Sequence, residues 1–98
     1  MSAGSYSIGS PKWPGLSKLI EECGEVLQVA GKIIATNGDT AHWDGTDLAE
    51  RLTEELADLQ AAIGFMIGHN PLLDADRVME RAKAKADLFC QWHNEDPS

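Results

Sequence analysis

Positive charge is what this chain has least of. Eight lysines and arginines stand against sixteen aspartates and glutamates, a net charge of −8 over 98 residues. Non-specific nucleic-acid binding needs a basic surface, so the balance argues against that class. Small nucleotides are not, because a bound cation can meet their charge. Long apolar runs are missing too; nothing approaches the ~18 residues that a membrane span needs. The N-terminal stretch has neither a basic flank nor an apolar run, so it does not read as a signal peptide. There are only two cysteines, Cys23 and Cys90, without metal-ligand spacing. They read as reduced, buried thiols of a cytoplasmic protein rather than a disulfide. His42, His69 and His93 are isolated from one another, which argues against a zinc site. No glycine-rich phosphate loop and no nucleophile motif is present.

What the chain does contain is helical periodicity. Leu16, Leu19, Ile20, Cys23, Val26, Leu27, Ala30 and Ile34 recur at three- and four-residue steps, the stripe of a helix facing a core. That helix is expected over about residues 15–35. Pro14 suits its first turn, and Asn37 or Gly38 can supply a left-handed cap. Gly24 and Gly31 inside it cost about 1 kcal/mol each relative to alanine; their use would be close helix approach or room beside neighbouring acids. A second helix opens near Thr46 or Asp47, where Asp47 and Glu50 have capping-box spacing. Its stripe is Leu48, Leu52, Leu56, Leu59, Ile63, Met66 and Ile67, and it ends near Gly68. A third starts between Asn70 and Asp76, with Asp74 a candidate cap, and runs to about Trp92 with Val78, Ala82, Ala86 and Phe89 as apolar positions. The fold class is therefore all-α, a bundle of three to four helices. Residues 1–12 read as a disordered tail, 13–93 as one domain, and 94–98 as a frayed end. A domain this small has a marginal core, so oligomerisation as a dimer or tetramer is expected to complete it.

The chemistry lies in the acids. Glu21, Glu22 and Glu25 flank the first stripe. Glu54, Glu55 and Asp58 repeat the pattern 33 positions further on, in phase with the second stripe. Glu22 and Glu25 thus stand at the same angle to their stripe as Glu55 and Asp58 do to theirs. If the two stripes pack antiparallel, four carboxylates come to one flank of the seam. They would repel one another and raise one another's pKa unless a cation sat among them. An oxygen-only ligand set suits Mg²⁺, or Mn²⁺. For either half alone, a solvated acidic face is the alternative reading.

Glu-Glu-x-x-Glu followed by Glu-x-x-Asp on the next helix resembles the MazG-like, all-α nucleoside triphosphate pyrophosphohydrolases. Trp13-Pro14-Gly15-Leu16-Ser17-Lys18-Leu19 and Glu55-Leu56-Ala57-Asp58-Leu59 agree with it, over roughly residues 13–93. The gap between Glu25 and Glu55 is at the long end for that family. The resemblance implies hydrolysis of a (deoxy)nucleoside triphosphate to the monophosphate and pyrophosphate. Glu22, Glu25, Glu55 and Asp58 would then be the metal ligands. Glu21 or Glu54, just outside the four, would act as general base or outer support, with Glu21 favoured.

Arg77, Arg81 and Lys85 fall at four-residue steps on the third helix. They read either as a solvated basic face or as a phosphate-facing row. The resemblance supports the second reading, with Arg81, Lys85 and Lys18 binding substrate phosphates. Trp13 either staples the helix start or stacks on the base; His42 and Trp43 either fold over the site or cover the bundle's end. Three alternatives stay open: a phosphoribosyl-ATP pyrophosphohydrolase-like enzyme, a non-catalytic metal- or nucleotide-binding module, and a purely structural helical dimer.

Overall fold

A computed structural model describes residues 4–41 and 44–95. The chain is all-helical: α1 (Leu16–Ala35), α2 (Leu48–His69) and α3 (Ala75–Glu95). Among the described residues the only β-type pairing is an isolated bridge between Ala41 and Asp47, at the mouth of the α1–α2 connection. His42 and Trp43 lie outside the described residues.

Each boundary has a local cause. Gly15 precedes α1 at φ +88°, a left-handed conformation that side chains disfavour. A Cβ there would also lie 2.6 Å from the Phe65 ring. α1 ends through Asn37 and Gly38, both left-handed; the Gly38 amide donates to the Ile33 carbonyl. Asp47 caps α2 by accepting from the Ala49 amide at 2.9 Å. Asp74 does the same for α3 through the Arg77 amide at 3.1 Å.

α1 and α2 form an antiparallel hairpin. The Asn70 side chain, just past the end of α2, donates to the Pro14 carbonyl at 3.0 Å, just before α1 begins. It also donates to the Met66 carbonyl at 2.8 Å, so this buried amide is satisfied. The seam is closed by Val29 from α1 and by Leu48, Ala62 and Met66 from α2, all buried. Leu16, Leu19, Val26 and Ile33 line it half-buried.

Here the structure departs from the periodicity reading. Val29, absent from the expected stripe, is the buried centre of α1. Four members of that stripe face outward: Cys23, with Ile20, Leu27 and Ile34 at 67%, 72% and 79% exposure. The apolar arc of α1 is wider than one seam, and α2 uses only one edge of it. On α2, likewise, Leu56 and Ile63 are exposed. Gly24 and Gly31 do not serve a close approach to a neighbouring helix, since a Cβ at either would meet nothing within 4 Å. Both cysteines are free and exposed, not buried.

α3 departs most. It has no buried residue; Val78, Met79, Phe89 and Trp92 are all exposed. It extends away from the hairpin, and the described chain measures 46 × 36 × 15 Å. It also runs past the expected end near Trp92, to Glu95.

Residues 4–12, expected as part of a disordered tail, form a hydrogen-bonded loop across the start of α1. The Ser10 hydroxyl is its hub: it donates to the Lys12 carbonyl and accepts from the Tyr6 and Lys12 amides. The loop is tied down where the Gly15 amide donates to the Ser7 carbonyl and the Ser17 amide to the Tyr6 carbonyl. Serine and glycine, which read as disorder in composition, here provide short-range donors and tight turns.

Candidate functional site

The hairpin sorts its two flanks by chemistry. At about 100° per residue, Glu22 and Glu25 lie on one edge of the α1 contact line and Ile20, Leu27 and Ile34 on the other. On α2, Asp58 and Glu54 stand to one side of Ala62 and Met66, and Leu56 and Ile63 to the other. Antiparallel pairing puts both acidic edges on the same side. One carboxylate oxygen each from Glu22, Glu55 and Asp58 lies within 4.8 Å of the other two.

Glu55 is the tightest member. Its Oε2 is shut off from solvent and has no hydrogen-bond partner among the described residues. A carboxylate oxygen in that state lacks the donors that normally compensate its desolvation. Burial, then the charges of Glu25, Asp58 and Glu22, hold the Glu55 carboxyl above the ordinary glutamate value of 4.5, with Arg51 opposing. Glu25 therefore acts on Glu55 electrostatically without belonging to the group of three that share one point.

The other sequence-derived site residues are placed as follows. Glu21 is exposed and accepts from the Lys18 ammonium at 3.1 Å. Glu54 is exposed on α2. Lys18 lines a cavity of about 440 Å³ together with Glu22 and Asp58. Trp13 is half-buried and lines a different cavity, of about 510 Å³, with Lys12, Pro14, His69, Asn70 and Pro71. Arg81 and Lys85 are on α3, which does not pack on the hairpin, so one chain does not bring them to the acids.

Residues not singled out in the sequence complete the acid-side cavity. Ile8, Ala61, Ala62 and Phe65 give it an apolar wall beside the carboxylates. Phe65 is held by stacking on His69 at 4.0 Å between ring centroids. A signal for the α2 residues was present: Asp58, Ala61, Ala62 and Phe65 fall at three- and four-residue steps on one helix edge. Ile8 gave a fainter one, as the lone aliphatic in the polar stretch before Trp13 apart from an alanine.

As chemistry, the arrangement is three converging oxygen donors under mutual repulsion, one of them without a donor of its own, opening onto an apolar pocket with one ammonium. The donor set fits a hard divalent cation, which prefers carboxylate oxygens and would relieve both the repulsion and the orphaned Oε2. Comparison with protein-family models, with curated proteins and with solved structures returns no match.

Proposed function

We propose that the protein is a Mg²⁺-dependent nucleoside triphosphate pyrophosphohydrolase, converting a (deoxy)nucleoside triphosphate and water to the monophosphate and pyrophosphate. The observation that carries this is the meeting of Glu22, Glu55 and Asp58 beside an apolar cavity, with the Glu55 oxygen unpartnered. The sequence resemblance to MazG-like enzymes supports it. Glu22, Glu55 and Asp58 would hold the ion, with Glu25 completing the set after a side-chain turn. Bound there, Mg²⁺ (or Mn²⁺) supplies charge neutralisation on phosphate oxygens and acidifies a water.

The chain's own groups supply the rest. Lys18 offers an ammonium at the cavity mouth for a phosphate oxygen, and its pairing with Glu21 keeps both near the acids. Glu21 is the favoured base, accepting the proton of the attacking water as the bond between the α- and β-phosphates breaks. Ile8, Ala61, Ala62 and Phe65 offer the flat apolar contact that a base or sugar needs. The reading takes in self-association, a cytoplasmic location where nucleotides are plentiful, and phosphate contacts from Arg81 and Lys85 of another copy.

The test is a panel of nucleotides with pyrophosphate detection, with and without Mg²⁺. Pyrophosphate release from at least one nucleotide is expected only with the ion. Glu22→Gln or Asp58→Asn should remove it while the helical circular dichroism stands. A full panel without turnover ends the enzymatic reading. A second reading, a nucleotide-binding module without turnover, is favoured by the distance of α3's basic row from the acids. It predicts Mg²⁺-dependent thermal stabilisation by nucleotide and no pyrophosphate.

A further inference from the structure

Where α1 begins and α2 stops lies the cavity of about 510 Å³ that the acids do not reach. It is distinct from the acid-side one: Pro14 and His69 line it, whereas Gly15 and Phe65 line the other. Its size falls within the range of small-molecule sites, about 300–1,000 Å³. One wall is residues 10–14 and the other residues 69–72. The Asn70 side chain ties the two together by donating to the Pro14 carbonyl at 3.0 Å. The Ser10 hydroxyl fixes the first wall through its bonds to Tyr6 and Lys12. Pro11, Pro14 and Pro71 restrict the backbone at three points on the rim. Walls held in advance lower the ordering cost of binding a ligand.

The lining is chemically unlike the rest of the chain. No aspartate or glutamate is part of it, although the sequence has sixteen. Lys12 is part of it. The Lys12 ammonium stands over the Tyr6 ring, 5.8 Å from its centroid, and forms no ion pair among the described residues. His69 donates from Nδ1 to the Phe65 carbonyl at 3.0 Å and stacks on the Phe65 ring. Its orientation is thereby set, and Nε2 stays outside that bond. Trp13 adds a half-buried indole. The Trp13 backbone is left-handed, with φ +48°, a conformation that bulky side chains disfavour and that glycine or asparagine adopts readily. Its carbonyl accepts from the Leu16 amide at 3.2 Å, a backbone role that needs no indole. Strain kept at such a residue is a feature of ligand clamps.

We propose that this cavity is a second ligand site, for a small anion carrying a flat ring: the ring stacks on Trp13 and the anionic group meets Lys12. Aromatic carboxylates and nucleoside monophosphates share that chemistry. With no carboxylate to hold a divalent cation, the site takes its anion free of metal. Nothing in it depends on what the acid-side cavity turns over.

The full-length protein is titrated in EDTA and followed by amide and indole NMR. The probes are naphthoate, AMP, naphthalenemethanol (the ring without the charge) and inorganic phosphate (the charge without the ring). Naphthoate or AMP should shift the Trp13 indole N–H and the Leu72 amide with a Kd below about 1 mM, and both controls should bind at least about 10-fold more weakly. Naphthoate alone identifies an aromatic acid as the source, and AMP alone a nucleotide. Trp13→Asn keeps a residue at home in the left-handed region, so it should weaken binding about 10-fold or more while the melting temperature moves by only about 3 °C. Lys12→Glu, at an exposed side chain, should weaken binding about 10-fold with the fold intact. A large fall in melting temperature in Trp13→Asn would make the indole a structural staple; Lys12→Glu then decides, and unchanged affinity there overturns the proposal. So does failure of both anions to bind, equal binding of naphthalenemethanol, or shifts confined to Ala61 and Phe65 of the acid-side cavity.

Discussion

The α1–α2 hairpin and α3 have similar helix lengths, and α2 and α3 each begin at an aspartate cap, yet they stand on different physical footings. The hairpin is a tertiary object: Leu48 is fully buried, Val29 nearly so, and Asn70 bonds across 56 residues to Pro14. α3 is a secondary structure that packs on neither α1 nor α2 among the described residues. Its apolar stripe, cap and i,i+4 ion pair Lys83–Asp87 are present, but nothing is buried. The difference teaches that amphipathicity predicts that a helix needs a partner, not where that partner is.

The comparison breaks most readily at Leu48. Leu48→Ala should destabilise the chain by about 2–5 kcal/mol through the cavity it leaves. Phe89→Ala on α3, measured by urea titration under dilute, monomeric conditions, should cost under about 0.5 kcal/mol. Equal losses at the two sites would mean that α3 is supported within its own chain after all. Next comes Gly15→Ala, expected to cost about 2 kcal/mol, because the left-handed backbone and the nearby Phe65 ring both resist a Cβ. Unchanged melting there would show that the loop over α1 yields easily. The caps sharpen the contrast with a smaller effect. Asp47→Ala should lower hairpin stability by about 1 kcal/mol, whereas Asp74→Ala should appear as fraying of α3, seen in amide exchange, with the hairpin midpoint unmoved.

The smallest effect separates the hairpin's two flanks. A carboxyl held above its ordinary range binds its proton more tightly folded than unfolded. Glu55's contribution to stability is therefore fullest below about pH 4.5 and is lost as pH rises through its raised folded value. In the presence of chelator, Glu55→Gln should raise the melting temperature at pH 7, with the gain over the unsubstituted protein shrinking toward pH 4. Added Mg²⁺ should remove the advantage of the glutamine. A gain that grows on acidification would show that Glu55 is not the strained member of the acid group. Substitutions on the apolar flank, such as Ile34→Gln, should leave this pH dependence unchanged.

Much of this was legible in the residues, for reasons that can be traced. The three helices and their caps are local, set by side-chain periodicity and by Asp47, Asp74 and Gly38 acting within a few residues. The shared phase of Glu22 and Glu55 was local too, since it needs only the helical repeat. The seam of α1 was not. Its apolar arc runs unbroken from Val26 through Leu27 to Ile20, and nothing along the helix says which edge α2 takes. The order of residues 4–12 depended on Ser10 meeting Lys12 and Tyr6 across a turn, which composition does not reveal.

The amino-acid order alone determined three amphipathic helices and a repeated acidic motif, because helical spacing is a property of neighbours in the chain. Only the tertiary arrangement decided that Val29 and Leu48 make the core and that Glu55 sits against Glu22 and Asp58. It alone left Leu27 exposed and α3 without a buried residue. Those outcomes turn on which of several apolar edges meet, and each edge taken alone is equally fit to be buried.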